Sequence, residues 1–318
     1  MFDIVQKDLA ALEETMLPAV ACETGVVTEI GAHLVAAGGK RLRPALYFLA
    51  VRCGKARPAS VLPLAVALEM IHMATLVHDD VIDRADLRRG IPTANAKWGN
   101  QIAVLAGDYF FAKAFSLVAR NCNDPAVISI LSEVICDLSE GELAQNQSAF
   151  AVPEGESDYY GRIAKKTANF IAASCQLGAI VGGLDEAATL ALRRYGHAIG
   201  MAFQITDDIL DIVATEKQIG KPVGNDLLEG IVTLPVIRAL AVSKDAAELH
   251  ALLKARSFDR KALARALHLV HATDAVEYSY RKVDGYLQAA KDALPAGLPA
   301  DVRTAFEAVA GFVAARSA

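Results

Sequence analysis

The spacing of apolar residues constrains the fold of this chain most strongly. Apolar side chains recur every three or four positions along almost the whole sequence, as in Leu9, Leu12 and Met16. This spacing places them on one face of an α-helix, which has 3.6 residues per turn. The strict alternation of a half-buried strand is nearly absent. The sequence therefore predicts an all-α fold.

Glycines and prolines interrupt this pattern and divide the chain into pieces of helical length. The interruptions fall at 38–39, 54–58, 90–92, 124–125, 153–157, 182–183, 220–222 and 294–299. We therefore predict a bundle of about a dozen helices with short connections. No low-complexity linker or shift of composition divides the chain, so we predict a single domain over 1–318, although the length alone would also suit two.

Composition and charge exclude several classes of protein. With 53% hydrophobic and 22% charged residues, the chain can bury a large core and is not disordered. Its formal net charge of -5 leaves no excess of cations for a nucleic acid, and favours at most peripheral contact with a membrane. The uncharged run 167–184 contains polar residues and glycines, so we predict a buried core helix there and not a membrane span.

The cysteines and the N-terminus favour a cytoplasmic location. The five cysteines are scattered and lack the close pairs of metal or redox motifs, which indicates reduced thiols. Residues 1–12 include Asp3, Lys7 and Asp8 and contain no apolar signal core.

One acidic pattern, D-D-x-x-D, occurs twice. Its copies are Asp79, Asp80, Asp83 and Asp207, Asp208, Asp211. On a helix the three carboxylates lie on one side and repel one another unless a cation bridges them, and Mg²⁺ prefers such oxygens together with water and phosphates. A single copy is more often a solvated acidic face. Two copies flanked by apolar residues favour a metal site, since burial of the carboxylates without a metal would be costly.

Basic residues alternate with these acidic motifs. The segment 38–44, Gly-Gly-Lys-Arg-Leu-Arg-Pro, puts three bases at a predicted helix start, where a phosphate clamp and a plain basic helix cap are equally good interpretations. Arg88 and Arg89 follow the first motif, and guanidinium groups hold phosphate oxygens bidentately. Lys166 precedes the uncharged run and Lys221 follows the second motif. The alternation suits a site for two diphosphates.

His72 is seven residues before Asp79, within about 20° of it on a helical wheel, so both side chains would face the same cleft. A lone histidine is more often a core residue. Because His72 aligns with Asp79, a role in the cleft is about as good an interpretation as a core residue.

With these residues the sequence resembles the trans-isoprenyl (polyprenyl) diphosphate synthases. The matching segments are 38–44, 78–83, 88–90, 107–108, 166–167, 203–211 and 233–235. The sequence around His72 and Trp98 is most similar to that of heptaprenyl diphosphate synthase catalytic subunits. The resemblance implies a bundle of the isoprenoid synthase type, with two aspartate-rich helices facing each other across a central cleft.

The resemblance also implies the reaction. Such a prenyltransferase condenses isopentenyl diphosphate successively onto an allylic diphosphate, farnesyl or geranylgeranyl diphosphate, by magnesium-assisted ionisation, condensation and elimination. The product is a medium- or long-chain all-trans polyprenyl diphosphate. The resemblance implies roughly three Mg²⁺ ions per active site when substrate is bound. It implies a homodimer, or a heterodimer with a non-catalytic subunit.

The resemblance assigns a role to each group of candidate residues. The metal ligands are Asp79, Asp83 and Asp207, supported by Asp80, Asp208 and Asp211. The residues holding the allylic diphosphate are Arg88, Lys166 and Lys221. The residues holding isopentenyl diphosphate are Lys40, Arg43, His72 and Arg89. The residues beside the developing allylic cation are Thr167 and Gln204. In one departure from many relatives, Ile231 follows Gly230 where they have a lysine, which removes one cationic contact.

Product length in this family depends on a tunnel along the helix that precedes the first motif. In short-chain relatives aromatic residues fill the fourth and fifth positions before the first aspartate, where this chain has Thr75 and Ala74. Both are small, which predicts a longer product, with Ile71 and Leu68 further along the tunnel. On a helical wheel Thr75 lies about 40° from Asp79 and Ala74 about 140° away, so Thr75 fits the tunnel better.

Two other functions fit the sequence less well. A terpene cyclase needs one diphosphate site, whereas this sequence has a second set of cations that would hold a second diphosphate. A non-catalytic partner of a synthase would be expected to have degraded aspartate motifs, and both are intact here. The need for a second subunit, the product length and the downstream pathway stay open.

Overall fold

The computed structural model describes residues 2–56, 59–88, 90–152, 155–213, 223–256 and 258–315. The helices are α1 Gln6–Ala19, α2 Gly25–Ala36, α3 Leu42–Cys53, α4 Val61–Ile82, α5 Ala94–Trp98, α6 Asn100–Asn121, α7 Pro125–Gln147, α8 Ser157–Ile163, α9 Asn169–Gly182, α10 Glu186–Val213, α11 Asn225–Leu228, α12 Leu234–Val242, α13 Ala246–Lys254, α14 Arg260–His271, α15 Ala275–Ala293 and α16 Ala300–Ala315. A 3₁₀ turn precedes α1 at Asp3–Val5, and a π turn joins α8 to α9 at Ala164–Ala168. The all-α prediction is confirmed.

Most of the predicted interruptions within the described residues coincide with helix ends, and the one at 90–92 falls in a hairpin between two helices. Breaks at 38–39, 124–125, 182–183 and 294–299 separate successive helices. The very short helices α5 and α11 come in addition to the longer predicted ones, because so few residues cannot show a period. The break predicted at 220–222 lies outside the described residues.

A short antiparallel hairpin follows α4. Strand β1, Leu87–Arg88, pairs with β2, Ile91–Pro92, with Leu87 opposite Pro92 and Arg88 opposite Ile91. Gly90 in the turn has a φ of 79°, a conformation that glycine adopts without steric cost. Two-residue strands are too short for sequence periodicity to predict.

The chain divides into two compact units. Unit 1 comprises Met1–Ser132, Ser174–Leu190 and Gly297–Phe306, and unit 2 comprises Glu133–Ala173, Ala191–Ala296 and Glu307–Ala318. The single domain over 1–318 stays a prediction.

In unit 1, glycines of α9 allow α3 to approach closely. A Cβ atom at Gly178 would lie 2.3 Å from the carbonyl oxygen of Tyr47, and one at Gly182 would lie 2.8 Å from that of Val51. Cys175 and Leu177 on the same helix are fully buried. The prediction that the uncharged run 167–184 forms a buried core helix is therefore confirmed.

Two other helices, α4 and α6, are long and apolar enough to cross a membrane by length and composition. The most apolar window of α4 is 61% buried, as expected for a core helix, whereas that of α6 is 33% buried. Core helices of soluble proteins pass the same test, so two such helices are a weak sign of a span. Helix α6 leaves Val104 and Leu105 exposed.

Unit 2 contains a set of ionic and aromatic contacts around α12 and α15. Arg238 of α12 donates two hydrogen bonds to Asp274, of 2.9 and 2.8 Å, and its guanidinium lies 4.5 Å from the ring centre of Tyr278. The hydroxyl of Tyr278 donates to Glu156 at 2.6 Å. These contacts hold the start of α8 against α15.

Candidate active site

The first aspartate motif lies at the C-terminal end of α4 in unit 1. Asp83 caps the helix and donates its backbone N–H to the carbonyl of Asp79 at 2.8 Å. His72, Thr75 and Asp79 are half-buried and Asp83 is exposed, so these positions form one open face of α4. The negative end of the helix dipole adds to the repulsion between these carboxylates. The local field therefore favours a bound cation.

Asp80 has a different environment. Its side chain is buried, and Arg88 Nε donates a hydrogen bond of 2.7 Å to its Oδ1. Burial raises the pKa of the Asp80 carboxyl, and the charge and hydrogen bond of Arg88 oppose that rise. Asp80 thus holds Arg88 on the hairpin. Arg89 lies outside the described residues.

The structure separates the three bases of segment 38–44. Arg41 has a left-handed backbone, with a φ of 46°, at the N-cap of α3. Its guanidinium donates to Glu13 Oε1 at 2.5 Å and also to the buried Glu69, so Arg41 ties the start of α3 to α1 and α4. Lys40 is exposed, and Arg43 is half-buried on α3. Of the three, Arg41 is a structural residue.

Arg43 and His72 lie together, as predicted. Arg43 Nη1 lies 3.3 Å from His72 Nε2. Because a guanidinium can only donate, His72 Nε2 is the acceptor in this hydrogen bond. Burial lowers the pKa of Arg43 to about 10, while Glu69 and Asp79 oppose the shift. Arg43 therefore stays a cation at neutral pH.

The matching segments at 78 and 107–108 pack α4 against α6. His78 Nε2 lies 3.0 Å from the carbonyl oxygen of Val104. A Cβ at Gly107 would lie 2.2 Å from the same nitrogen, so only glycine leaves room for the ring. These residues fix α4 and with it the first motif.

Residues predicted to line the product tunnel also lie on α4. Leu68, Ile71 and Ala74 are fully buried, whereas Thr75 is half-buried, and its hydroxyl donates to the carbonyl of His72 at 2.8 Å. Thr75 thus shares the open face with Asp79, as the helical wheel indicated. The tunnel itself stays a prediction.

The second motif lies on α10 in unit 2. Asp207 is half-buried, and Asp208 and Asp211 are buried. Asp211 Oδ2 accepts the backbone N–H of Asp226 at 3.1 Å, and its carbonyl accepts that of Gly224 at 2.8 Å. Asp211 therefore anchors the start of α11.

Asp208 receives a donor on each carboxylate oxygen. Tyr159 donates its hydroxyl to Oδ2 at 2.7 Å, and Gln204 donates Nε2 to Oδ1 at 2.8 Å. Burial raises the pKa of Asp208 to about 6; the hydrogen bonds from Gln204 and Tyr159 oppose the rise, and the charge of Asp207 adds to it. The Thr167 hydroxyl in turn donates to Gln204 Oε1 at 2.8 Å. The predicted pair Thr167 and Gln204 is thus brought together.

Lys166 and Thr167 both lie in the π turn. Lys166 Nζ lies 2.6 Å from Glu142 Oε2 of α7, with the two side chains 28% and 13% exposed. A Cβ at Gly141 would lie 3.0 Å from Lys166 Cγ, and a Cβ at Gly200 would lie 2.5 Å from the Cα of Ala168. Glycines on both neighbouring helices thus make room for the π turn.

The sequence predictions did not include Tyr159, Glu142, Gly141 or Gly200. The two glycines offered a signal, because glycine inside a helix costs stability and often marks a close approach. Tyr159 and Glu142 offered none, since a single tyrosine or glutamate is common on helices.

The carboxylates of the two motifs fit Mg²⁺ if substrate phosphates supply the remaining ligands. Among the residues that the structure describes, no group of three or more His, Cys, Asp or Glu side chains could hold a metal by itself. Mg²⁺ is usually bound by one or two carboxylates together with substrate phosphates. The predicted ligands are the more accessible members of each motif, Asp79 and Asp83 in unit 1 and Asp207 in unit 2, so each motif by itself fits a metal completed by substrate. Lys221 lies outside the described residues.

Comparison with known proteins shows the same pattern over most of the chain. The polyprenyl synthetase family model matches residues 24–270, which include both motifs. The chain is 45% identical over 299 residues to heptaprenyl diphosphate synthase component 2 of Geobacillus stearothermophilus, covering 94% of this chain and 92% of the relative. It is 38% identical over 289 residues to a short chain isoprenyl diphosphate synthase of Methanothermobacter thermautotrophicus, covering 89% and 88%.

A solved structure has the same fold. The polyprenyl synthase of Caulobacter crescentus, complexed with calcium and isoprenyl diphosphate, superposes with a TM-score of 0.92 at 35% identity, covering 99% of this chain and 96% of that one. The resemblance drawn from the motifs is confirmed.

Proposed function

Because the chain belongs to the polyprenyl synthetase family, we propose that it condenses isopentenyl diphosphate successively onto farnesyl or geranylgeranyl diphosphate. It is a transferase, a trans-prenyl diphosphate synthase by family. The proposed product is a medium- or long-chain all-trans polyprenyl diphosphate.

One observation carries the proposal most directly. In each aspartate motif the first carboxylate is half-buried, while the second is buried and accepts hydrogen bonds from protein donors. A cluster that served only as a solvated acidic face would not fix its middle carboxylate in this way. The arrangement supports a site where Asp79, Asp83 and Asp207 bind divalent cations while their neighbours stay fixed.

The reaction breaks the C1–O bond of the allylic diphosphate, joins C1 to the isopentenyl double bond and releases a proton. Bound Mg²⁺ would withdraw electrons from the leaving diphosphate. Arg88 and Lys166 bind its oxygens and neutralise their charge. Thr167 and Gln204 present fixed dipoles to the developing cation. Lys40, Arg43 and His72 orient isopentenyl diphosphate. Arg89 is proposed to bind isopentenyl diphosphate with them, and Lys221 to bind the allylic diphosphate.

The metal is proposed from the donor set and from one relative. The Caulobacter enzyme is complexed with calcium and isoprenyl diphosphate, and the carboxylates here suit Mg²⁺. We propose roughly three Mg²⁺ ions per active site with substrate bound, as the resemblance to the family implies.

A second subunit is proposed from the surface of α6. This helix is only 33% buried over its most apolar window and exposes Leu105 at 56%. Exposed apolar faces of this kind mark protein contacts. The similar Geobacillus protein is named component 2. The face therefore suits a second copy of this chain or a non-catalytic partner.

The test is direct. Purified protein is incubated with Mg²⁺, farnesyl diphosphate and labelled isopentenyl diphosphate, and the products are sized by mass. We expect a ladder of elongated diphosphates that EDTA abolishes and added Mg²⁺ restores. The proposal fails if neither the chain alone nor the chain mixed with the companion subunit from its own source incorporates label into an elongated diphosphate.

A further inference from the structure

Four side chains of unit 2 form a hydrogen-bonded chain with a fixed direction. Tyr159 donates to Asp208 at 2.7 Å, Gln204 donates to the other oxygen of Asp208 at 2.8 Å, and Thr167 donates to Gln204 at 2.8 Å. Tyr159, Asp208 and Thr167 are at least nine-tenths buried. Protein groups and not bulk water therefore satisfy these atoms.

The direction follows from the chemistry of the groups. An ionised carboxylate only accepts, so the Gln204 amide turns its NH₂ toward Asp208 and its oxygen toward Thr167. Thr167 must then donate. Its hydroxyl proton is committed to Gln204, and its lone pairs point away from that residue.

From this geometry we propose that Tyr159 is a positioning residue for the prenyl transfer: it fixes Asp208, and through Gln204 it keeps the Thr167 lone pairs turned outward. This inference rests on the proposed function and deepens it. An oxygen whose lone pairs are held in place stabilises a developing cation without reorganising at the moment of reaction. Asp208 is also buried and held by two donors beside Asp207, the proposed metal ligand.

The surroundings of α8 hold the tyrosine in place. Tyr160, next in sequence, donates its hydroxyl to Glu156 Oε2 at 3.0 Å, and Arg162 donates to the carbonyl of Val232 at 2.8 Å. The Arg162 bond ties α8 to the residues before α12, whereas the Tyr160 bond stays within the first turn of α8. Tyr160 also provides a matched control, because it bonds a carboxylate outside the aspartate motif.

The first experiment compares Tyr159→Phe with Tyr160→Phe. Both tyrosines lie on α8, and each change removes one hydroxyl that donates to a carboxylate, Asp208 for Tyr159 and Glu156 for Tyr160. We expect Tyr159→Phe to lower kcat about tenfold, as for residues that orient a reacting group, with KM for both substrates within about twofold. Tyr160→Phe should keep kcat within about twofold. Equal kcat for the two variants would overturn the proposal.

The second experiment reverses the donor and acceptor roles along the hydrogen bonds that join Asp208, Gln204 and Thr167. Asp208→Asn keeps the shape of the side chain, but its amide can donate to Gln204, which then flips and makes Thr167 an acceptor. We expect a kcat loss of at least tenfold with a wild-type circular dichroism spectrum. Adding Tyr159→Phe should cost nothing further, because the tyrosine acts through Asp208. A second full loss in the double variant would show an independent, structural effect and overturn the proposal.

Calorimetry, together with the activity of the wild-type protein, separates the possible failures. Calorimetry with Mg²⁺ and inorganic pyrophosphate should give the same affinity for wild type and Tyr159→Phe, and a loss of affinity would overturn the positioning role. If the wild-type protein makes no prenyl product, the proposed function fails. If it is active and the two tyrosine variants behave alike, only this inference fails. Should Tyr159→Phe not fold, Asp208→Asn carries the test.

Discussion

The two aspartate motifs share one sequence pattern but differ in how their middle carboxylate is held. Asp80 is paired with a cation, Arg88, whose side chain is 35% exposed on the hairpin. Asp208 is held by two neutral donors, Tyr159 and Gln204. A partly exposed guanidinium can exchange its partner for a phosphate and responds to salt, whereas buried neutral donors do neither. The first motif is therefore adaptable and the second is fixed.

The third aspartates differ in the same sense. Asp83 is exposed at the end of α4, while Asp211 is buried and accepts a backbone N–H from Asp226. The first motif thus has two accessible carboxylates, Asp79 and Asp83, whereas the second has one, Asp207. The difference teaches that D-D-x-x-D predicts a cluster of carboxylates but not the number that can reach a metal.

The largest expected effect tests whether the accessible aspartates of both motifs serve the metal. Asp79→Ala and Asp207→Ala should each lower turnover about a hundredfold or more, because a stabilising group at the reacting diphosphate is lost. Folding should be preserved, since local repulsion falls. Initial rates with saturating Mg²⁺ and thermal melting check both points. Asp292→Ala on the exposed face of α15 is the control, and near-normal turnover of both variants would contradict the assignment.

A second prediction separates the bases near the first motif. Lys40→Ala should raise KM for isopentenyl diphosphate about tenfold with little change in KM for the allylic substrate, because one charge-assisted contact is removed. Arg41→Ala should instead lower the free energy of unfolding, since the buried Glu69 loses its partner. Steady-state titration of each substrate and urea unfolding distinguish the two. Equal loss of affinity for both substrates in Lys40→Ala would show that the cations are divided wrongly.

A third prediction compares the supports of the two middle carboxylates. Arg88→Gln should lower the free energy of unfolding by about 1–2 kcal/mol, a modest value because water replaces part of the exposed guanidinium. Asp80→Asn in the same chain should recover most of the loss by removing the buried charge. Urea unfolding of the single and double variants measures this. The loss of unfolding free energy in Arg88→Gln should shrink as salt is added, whereas the loss in Tyr159→Phe should not change with salt. A similar salt dependence of the two losses would contradict the difference between the motifs.

The smallest effect on rate is expected on α4 below the first motif. Thr75→Phe should shorten the product while the first condensation proceeds nearly as before, because the ring blocks growth beyond the metal site. Ala74→Tyr, predicted from sequence to act similarly, enters a fully buried position and should destabilise the fold by about 1–3 kcal/mol through overpacking. Mass analysis of products decides, and unchanged lengths in Thr75→Phe would place the tunnel elsewhere.

The sequence predicted those features that depend on local spacing. Helical periodicity predicted the fold class, and the wheel placed Thr75, His72 and Asp79 on one face. It could not assign Arg41 its structural role, because its partners lie 28 residues away in each direction, and its positive φ turns it toward them. The bond between Tyr159 and Asp208 joins residues 49 apart. Pairings at such distances leave no periodic signal in a single sequence.

The π turn at Ala164–Ala168 has a consequence for how sequences of this kind can change. Within it Thr167 bonds Gln204 on α10, and just after it Asn169 bonds Asp137 on α7 at 2.7 Å. Deleting one residue there would convert the π turn to regular helix and leave the helix that follows in its present orientation, but Thr167 would lose the position that the turn gives its side chain. Thr167 could not then keep its bond to Gln204. Insertions and deletions among natural variants are therefore expected to avoid this turn, which makes 164–168 a fixed point for aligning distant sequences.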